Sequence, residues 1–178
     1  MGGTTPSVRR VDTADRRSAL ADRLTEYHDW MERMVRSETD ASYDATANVA
    51  DDLRDVANPA TACRAWIADR GHADAAGCGL LYGVSEDTAE LKRLYVGPAH
   101  RGHGVGRTLT ATLVDAAREC GYGTLALTTP PWSHAAHALY DDLGFERTGP
   151  YPETRLPERH HDDAIFMQLD LSNRADRR

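Results

Sequence analysis

The sequence predicts a mixed α/β fold in one domain, because helix-like and strand-like patterns alternate along a chain of ordinary composition. The chain has 178 residues, of which 40% are hydrophobic and 28% are charged, as is typical of one globular domain. Segments with a hydrophobic period near 3.6 alternate with short segments of period two. A glycine-rich turn lies between one strand pattern and one helix pattern. The predicted domain covers residues 1–171, and a polar, frayed tail covers residues 172–178.

The N-terminal half begins with a short strand over residues 7–11 and a long helix. Asp12 or Thr13 supplies the oxygen that caps the helix, which runs to about Arg36. Apolar residues recur along it at spacings typical of an amphipathic helix: Leu20, Leu24, Tyr27, Met31, Met34 and Val35. A second helix is predicted around residues 45–56. Strands are predicted over residues 63–68, 75–84 and 89–96, with a turn at residues 85–87.

The C-terminal half continues the alternation. A helix begins at Val105 and reaches Cys120, and Gly121 ends it because glycine suits a left-handed cap. A strand over residues 124–129, a helix over residues 133–143 and a strand over residues 164–171 follow. The last strand places Ile165, Met167, Leu169 and Leu171 on one face.

Charge, cysteine content and hydropathy exclude several classes of protein. The formal net charge of −7 disfavours binding to nucleic acid, whose phosphates it would repel. No apolar run approaches the roughly 20 residues needed to cross a bilayer, and the first residues lack the apolar stretch of a secretory signal. Three cysteines without metal-ligand spacing predict neither a disulfide framework nor a metal site. We therefore expect a cytoplasmic protein without a metal.

The glycine-rich turn RGHGVGR, residues 101–107, is the strongest chemical signal. Gly102, Gly104 and Gly106 lack Cβ atoms, so the backbone can turn sharply and approach a ligand. Their N–H groups open a helix and add to the positive end of its dipole, while Arg101 and Arg107 supply full charges. These features predict a site for a phosphate or a pyrophosphate.

Three phosphate-binding patterns compete for this turn. No lysine follows the glycines as in a P-loop, and the spacing of the dinucleotide fingerprint is absent. The pattern RxxGxG does match, at Arg101, Gly104 and Gly106. With ELKRLYV before it and ALYDDLGF after it, the segment from Ala89 to Phe145 resembles the GCN5-related N-acetyltransferase (GNAT) family.

The resemblance implies a fold and a cofactor. The fold would have a central, mostly antiparallel sheet that is splayed between its fourth and fifth strands and flanked by helices. The cofactor would be acetyl-CoA, with its pyrophosphate on the turn formed by Arg101, Gly102, His103, Gly104, Val105, Gly106 and Arg107. The backbone groups of Leu94, Tyr95 and Val96 would bind pantetheine. Ser133 replaces the asparagine that many relatives use for the same purpose, and a hydroxyl cannot copy the paired donor and acceptor of an amide.

The resemblance also implies direct attack of an amine on the thioester, which requires an acid and a base, the base being either a nearby carboxylate or a chain of water molecules. Glu90 lies where some relatives carry a catalytic glutamate, although pairing with Lys92 or Arg93 would explain it equally well. Tyr140 aligns with the tyrosine often assigned as the general acid for the departing thiolate. Because a thiol pKa near 8.5 lies below the phenol pKa near 10, Tyr140 could act mainly by positioning the sulfur.

The sequence leaves the acceptor open. It is expected to be the primary amine of a small molecule or a peptide, and a homodimer is one assembly to consider. Four aromatic residues lie on segments that face the acceptor in this fold, although packing is the simpler interpretation for each: Tyr27, Trp30, Trp132 and Tyr151. Two alternatives to an acetyltransferase remain, a non-catalytic acyl-CoA-binding regulatory module and a transferase of a longer acyl group.

Overall fold

The computed structural model describes residues 5–71, 75–154 and 156–172 of the chain. Within these residues the strands are β1 (Ser7–Arg10), β2 (Cys63–Asp69), β3 (Gly77–Gly83), β4 (Thr88–Val96), β5 (Thr124–Thr129), β6 (Glu146–Thr148) and β7 (Ile165–Asp170). The helices are α1 (Ala14–Glu38), α2 (Ala45–Ala57), α3 (Val105–Glu119) and α4 (His134–Asp142). Single turns of 3-10 helix occur at Pro98–His100 and Glu158–His160. Apart from its first residue, Ser172, the predicted tail lies outside the described residues.

The strands form a seven-stranded sheet in the order β1-β2-β3-β4-β5-β7-β6. β4 and β5 are parallel, whereas β1 with β2, β5 with β7 and β6 with β7 are antiparallel. The predicted mixed α/β fold with a mostly antiparallel sheet is therefore confirmed. The sequence missed β6, because its three residues are all exposed and show no hydrophobic alternation. Pairing with β7 alone defines it as a strand.

β4 and β5 separate before β4 ends. Their parallel register runs from Thr88↔Thr124 to Leu91↔Leu127, although β4 continues to Val96. Just beyond the last pair, Arg93 has a φ of 55°, the one positive φ of a non-glycine residue in the described part of the chain. A side chain with a Cβ avoids this left-handed conformation unless its surroundings hold it there. The parallel pairing of β4 with β5 thus ends at Leu91↔Leu127, as expected for a sheet that is splayed between these strands.

Helix α1 begins at the predicted cap, where the Thr13 hydroxyl oxygen accepts a hydrogen bond from the Arg16 N–H at 3.3 Å. Its fully buried stripe consists of Leu20, Leu24 and His28. The prediction placed only apolar residues on this stripe. A histidine that is 0% exposed needs hydrogen-bond partners inside the protein.

Backbone contacts divide the chain into two compact units. The first comprises Met1–Leu80 and Arg93–Thr110, and the second comprises Leu81–Lys92 and Ala111–Arg178. Buried apolar residues of the first unit include Leu20, Leu24, Leu80, Val105 and Leu109, and those of the second include Leu113, Leu125, Leu127 and Met167.

No helix in the described residues has both the length and the apolar character needed to cross a membrane.

Candidate functional site

The glycine-rich turn opens helix α3 in the first unit. Gly102 and Gly104 have φ values of 76° and 79°, which residues with side chains rarely adopt. A Cβ built on either glycine would find no heavy atom within 4 Å, so the backbone conformation rather than crowding requires glycine here. Within the described residues no protein group accepts a hydrogen bond from the N–H groups of residues 102–106. These donors at the positive end of a 15-residue helix suit an anion.

Arg101 connects the turn to the end of β4. Its Nε donates a hydrogen bond of 3.0 Å to the Val96 carbonyl, and its guanidinium lies 5.8 Å from the centre of the Tyr95 ring. Gly77 on β3 lets this part of β4 come close, since a Cβ there would lie 2.5 Å from the Tyr95 carbonyl oxygen. The backbone of residues 94–96, which is expected to bind pantetheine, is therefore contacted by the Arg101 side chain and approached closely by Gly77 of β3.

A buried polar network joins β4 to α1 and α2 within the first unit. Asp52 accepts two hydrogen bonds from the Arg93 guanidinium, at 2.7 Å from Nε and 3.2 Å from Nη2. It also lies 2.8 Å from His28 Nε2, and His28 Nδ1 contacts the Tyr43 hydroxyl. The network therefore holds the residue with the left-handed backbone in place. Sequence reasoning missed it, because 41 residues separate Asp52 from Arg93.

The protonation states in this network follow from burial and charge. Burial lowers the pKa of His28, the Arg93 charge lowers it further, and the hydrogen bond to Asp52 opposes both. Burial alone would raise the pKa of Asp52, but hydrogen bonds and charge from His28 and Arg93 outweigh it, so this pKa is lowered. A neutral His28 can donate from Nε2 to Asp52 while Nδ1 accepts from Tyr43. The result is one buried ion pair whose carboxylate has its partners satisfied.

Glu90 belongs to the second unit and is 1% exposed. Its Oε1 accepts a hydrogen bond of 2.7 Å from the Tyr151 hydroxyl. Lys92 Nζ lies 3.4 Å from Oε2 without hydrogen-bond geometry, so Oε2 accepts no hydrogen bond in the described part of the chain. Of the two pairings that would explain Glu90 structurally, that with Lys92 is present as an ion pair, whereas Arg93 binds Asp52 instead. Oε2 is buried beside the Lys92 ammonium, so a proton from outside would reach it through intervening water.

Helix α4, also in the second unit, carries two of the predicted site residues. Tyr140 is buried, and its ring centre lies 5.5 Å from that of Phe145. Ser133 occupies the N-cap position, but its side chain makes no capping hydrogen bond. Its carbonyl accepts from the N–H groups of Ala136 and His137 instead. In the part of the chain that the structure describes, the Ser133 hydroxyl is thus not used to cap α4.

The predicted site residues thus fall into two groups. The first unit contains the backbone of residues 94–96 and the turn of residues 101–107, and the second contains Glu90, Ser133 and Tyr140. Within the described residues, no three side chains of His, Cys, Asp or Glu gather in a way that could hold a metal ion. The sequence missed Tyr151 as a partner of Glu90, since 61 residues separate them.

Comparison with known proteins identifies the family. The model of the acetyltransferase (GNAT) family matches residues 23–145. The chain belongs to the GNAT acetyltransferases. The match includes the glycine-rich turn, Glu90 and Tyr140, and the resemblance derived from the sequence is confirmed.

Two curated GNAT relatives match about half of the chain. The L-methionine sulfoximine/L-methionine sulfone acetyltransferase of Salmonella typhimurium is 37% identical over 82 residues, which are 46% of this chain and 48% of that protein. The L-amino acid N-acyltransferase MnaT of Escherichia coli is 35% identical over 83 residues, which are 47% of this chain and 48% of that protein. The chain therefore spans about half the length of these relatives.

A solved structure extends the likeness of the fold to nearly the whole chain. YncA from Salmonella typhimurium, solved with its cofactor acetyl-CoA, aligns with a TM-score of 0.65 and covers 98% of both chains at 23% identity. At this identity the comparison shows a common GNAT fold.

Proposed function

We propose that this protein is an acetyl-CoA-dependent N-acetyltransferase, of the class EC 2.3.1, that moves an acetyl group to a primary amine. The glycine-rich turn carries this proposal, because the N–H groups of residues 102–106, for which the described residues offer no acceptor, suit the pyrophosphate of CoA. Membership of the GNAT family and the likeness to YncA support the choice of acetyl-CoA among phosphate-bearing ligands. One domain over residues 1–171 and a cytoplasmic location stay predictions.

Acetyl-CoA supplies an activated thioester when it is bound, and the residues of the chain have three tasks around it. The turn of residues 101–107 holds the pyrophosphate, and Ser133 donates to pantetheine. The backbone of residues 94–96 binds pantetheine and orients the thioester carbonyl. These tasks need N–H and O–H donors at fixed positions, which the held end of β4 and the open turn supply.

Glu90 and Tyr140 are proposed to move protons. An alkylammonium group has a pKa near 10.4, so about one molecule in a thousand is a free amine at neutral pH, and a base must take the proton. Oε2 of Glu90 accepts no hydrogen bond in the described residues, whereas Oε1 accepts one from Tyr151, so Oε2 is proposed as the oxygen that receives the proton through intervening water. The hydroxyl of Tyr140 would donate a proton to the departing thiolate. Transfer needs no metal ion in this scheme.

The acceptor is proposed to be the amine of an amino acid or a related small molecule. Two relatives are named for amino-acid acceptors, and a polyamine is the next class to test, because spermidine N-acetyltransferase from Vibrio cholerae shares the fold with a TM-score of 0.67. A panel of L-methionine sulfone, other L-amino acids and spermidine covers both classes. Products are to be detected by mass spectrometry, because the exposed Cys120 could react with thiol reagents. Tight binding of acetyl-CoA without any acetylated product would favour the non-catalytic acyl-CoA-binding module. Turnover only with a longer acyl-CoA would favour a transferase of a longer acyl group.

Substitution of Gly104 tests the cofactor site directly. Gly104→Val places a β-branched residue at a φ of 79° and should reduce acetyl-CoA affinity at least tenfold by displacing the N–H donors. Gly149→Val is the matched control, since Gly149 is exposed, lacks a positive φ, and would have no heavy atom within 4 Å of an added Cβ. Isothermal titration calorimetry with acetyl-CoA gives both affinities. Equal affinities of Gly104→Val and the unsubstituted protein would remove the basis of the proposed cofactor site.

A further inference from the structure

Tyr151 lies on the segment between β6 and β7 and reaches Glu90 from a part of the chain remote in sequence. The phenol is buried, and its hydroxyl donates to Glu90 Oε1 at 2.7 Å. Thr128 Oγ1 on β5 lies 3.3 Å from the same hydroxyl. Because Tyr151 has one proton and gives it to Glu90, the Thr128 hydroxyl is left to donate to its oxygen.

The ring of Tyr151 is fixed by packing. Its centre lies 5.9 Å from that of Phe166 in an edge-to-face arrangement. Ala126 completes the buried cluster, and Leu156 and Ala164 pack against it. A ring held on this many sides presents its hydroxyl at a fixed position.

Charge keeps Tyr151 a donor. Burial raises the pKa of Tyr151, and the negative charge of Glu90 raises it further. The phenol therefore stays protonated at physiological pH. The charged group facing Glu90 from its own strand is Lys92, whose Nζ lies 3.4 Å from Oε2, and Thr128 and Thr154 near the phenol are uncharged.

We propose that Tyr151 is a positioning residue for Glu90: its hydroxyl occupies Oε1 and fixes the carboxylate so that Oε2 is the oxygen that receives the proton of the acceptor amine. The proposal rests on the proposed role of Glu90 as the base. In the step concerned, one proton of the acceptor ammonium passes through intervening water to Oε2, which is itself buried, and Glu90 becomes a neutral acid. The freed lone pair of the nitrogen forms the N–C bond, and the C–S bond breaks with its electron pair going to sulfur. Tyr140 gives its proton to the thiolate, and the remaining excess proton on nitrogen restores the Tyr140 hydroxyl.

The first test compares turnover of L-methionine sulfone in four variants. Tyr151→Phe should lower kcat about tenfold while leaving the affinity for acetyl-CoA unchanged, because the ring and its packing stay and only the hydroxyl is lost. Glu90→Gln should lower kcat further, and adding Tyr151→Phe to Glu90→Gln should cause no additional loss. Val114→Ala is the packing control: Val114 is buried on α3 and lies outside the apolar cluster around Tyr151, so this variant should lower the melting temperature but retain most of kcat.

The outcomes separate this proposal from the proposed base. If Tyr151→Phe lowers kcat by the same factor in the Glu90→Gln variant as in the unsubstituted protein, Tyr151 does not act through Glu90. The positioning role is then overturned. If Glu90→Gln keeps full turnover, the role of the base itself fails. If Glu90→Gln is impaired while Tyr151→Phe is not, the base stands and the positioning residue does not.

The second test needs no acceptor. The Tyr151 hydroxyl proton, which is donated to the buried Glu90 carboxylate, should give a slowly exchanging, downfield proton NMR signal. The signal should vanish in Tyr151→Phe and move upfield in Glu90→Gln, where the hydrogen bond loses its charge. A signal that is unaffected by Glu90→Gln would contradict the hydrogen bond on which the proposal depends.

Discussion

Removing the charge of Asp52 should destabilise the protein through Arg93. The Asp52 side chain is 6% exposed and that of Arg93 is 19% exposed, so Asp52→Asn leaves a largely buried guanidinium without its counter-charge. Loss of one partner of a buried ion pair costs about 3–5 kcal/mol, and the residual exposure of Arg93 favours the lower end, about 3 kcal/mol. For a chain of this size, that loss corresponds to a fall in melting temperature of roughly 6–12 °C.

The neighbouring residue Asp51 provides a matched control on the same helix. Its carboxylate is 64% exposed and pairs with Arg54, which is 69% exposed. Asp51→Asn should therefore change the free energy of unfolding by no more than about 0.5 kcal/mol. Urea unfolding followed by circular dichroism measures both variants. If Asp52→Asn lowers the free energy of unfolding by less than about 1 kcal/mol, the substitution does not leave Arg93 as a buried charge without compensation, and the reasoning is refuted.

Three further predictions concern the same elements and the proposed acid. The pKa of His28 is lower in the folded protein than in the unfolded chain, so on acidification the unfolded chain binds a proton at His28 before the folded protein does. Stability should therefore fall as the pH drops below about 6.5. The urea midpoint of the His28→Gln variant should decline less than that of the unsubstituted protein between pH 7.5 and 5.5. Arg93→Gly and Arg93→Ala both lose the ion pair with Asp52, but glycine tolerates a φ of 55°. The free energy of unfolding of the glycine variant should therefore exceed that of the alanine variant by about 1 kcal/mol. An equal or greater stability of the alanine variant in urea would argue against backbone strain at this position. Tyr140→Phe should lower turnover by about 100-fold with little change in acetyl-CoA affinity, and unchanged turnover in the steady-state assay would leave Tyr140 only a positioning role.

Several features of the fold were predictable because they depend on residues close together in sequence. The glycine-rich turn is an example: the positive φ values of Gly102 and Gly104 and the start of α3 at Val105 lie within a few residues of one another. Predicted helix and strand limits agree with the structure to within about two residues, as for β5 at Thr124–Thr129. The short β6 was missed, since its exposed residues carry no hydrophobic pattern and only β7 makes them a strand.

The sequence alone determined which residue types are present for the chemistry, namely a glycine turn for an anion, a glutamate on β4 and a tyrosine on α4. Only the tertiary structure decided which groups those residues meet: Tyr151 meets Glu90 across 61 residues, and Asp52 meets Arg93 across 41. The physical reason is the range of the interactions. Backbone conformation and periodicity are set by near neighbours, whereas a buried polar group must be satisfied by whatever partner the packed chain brings to it.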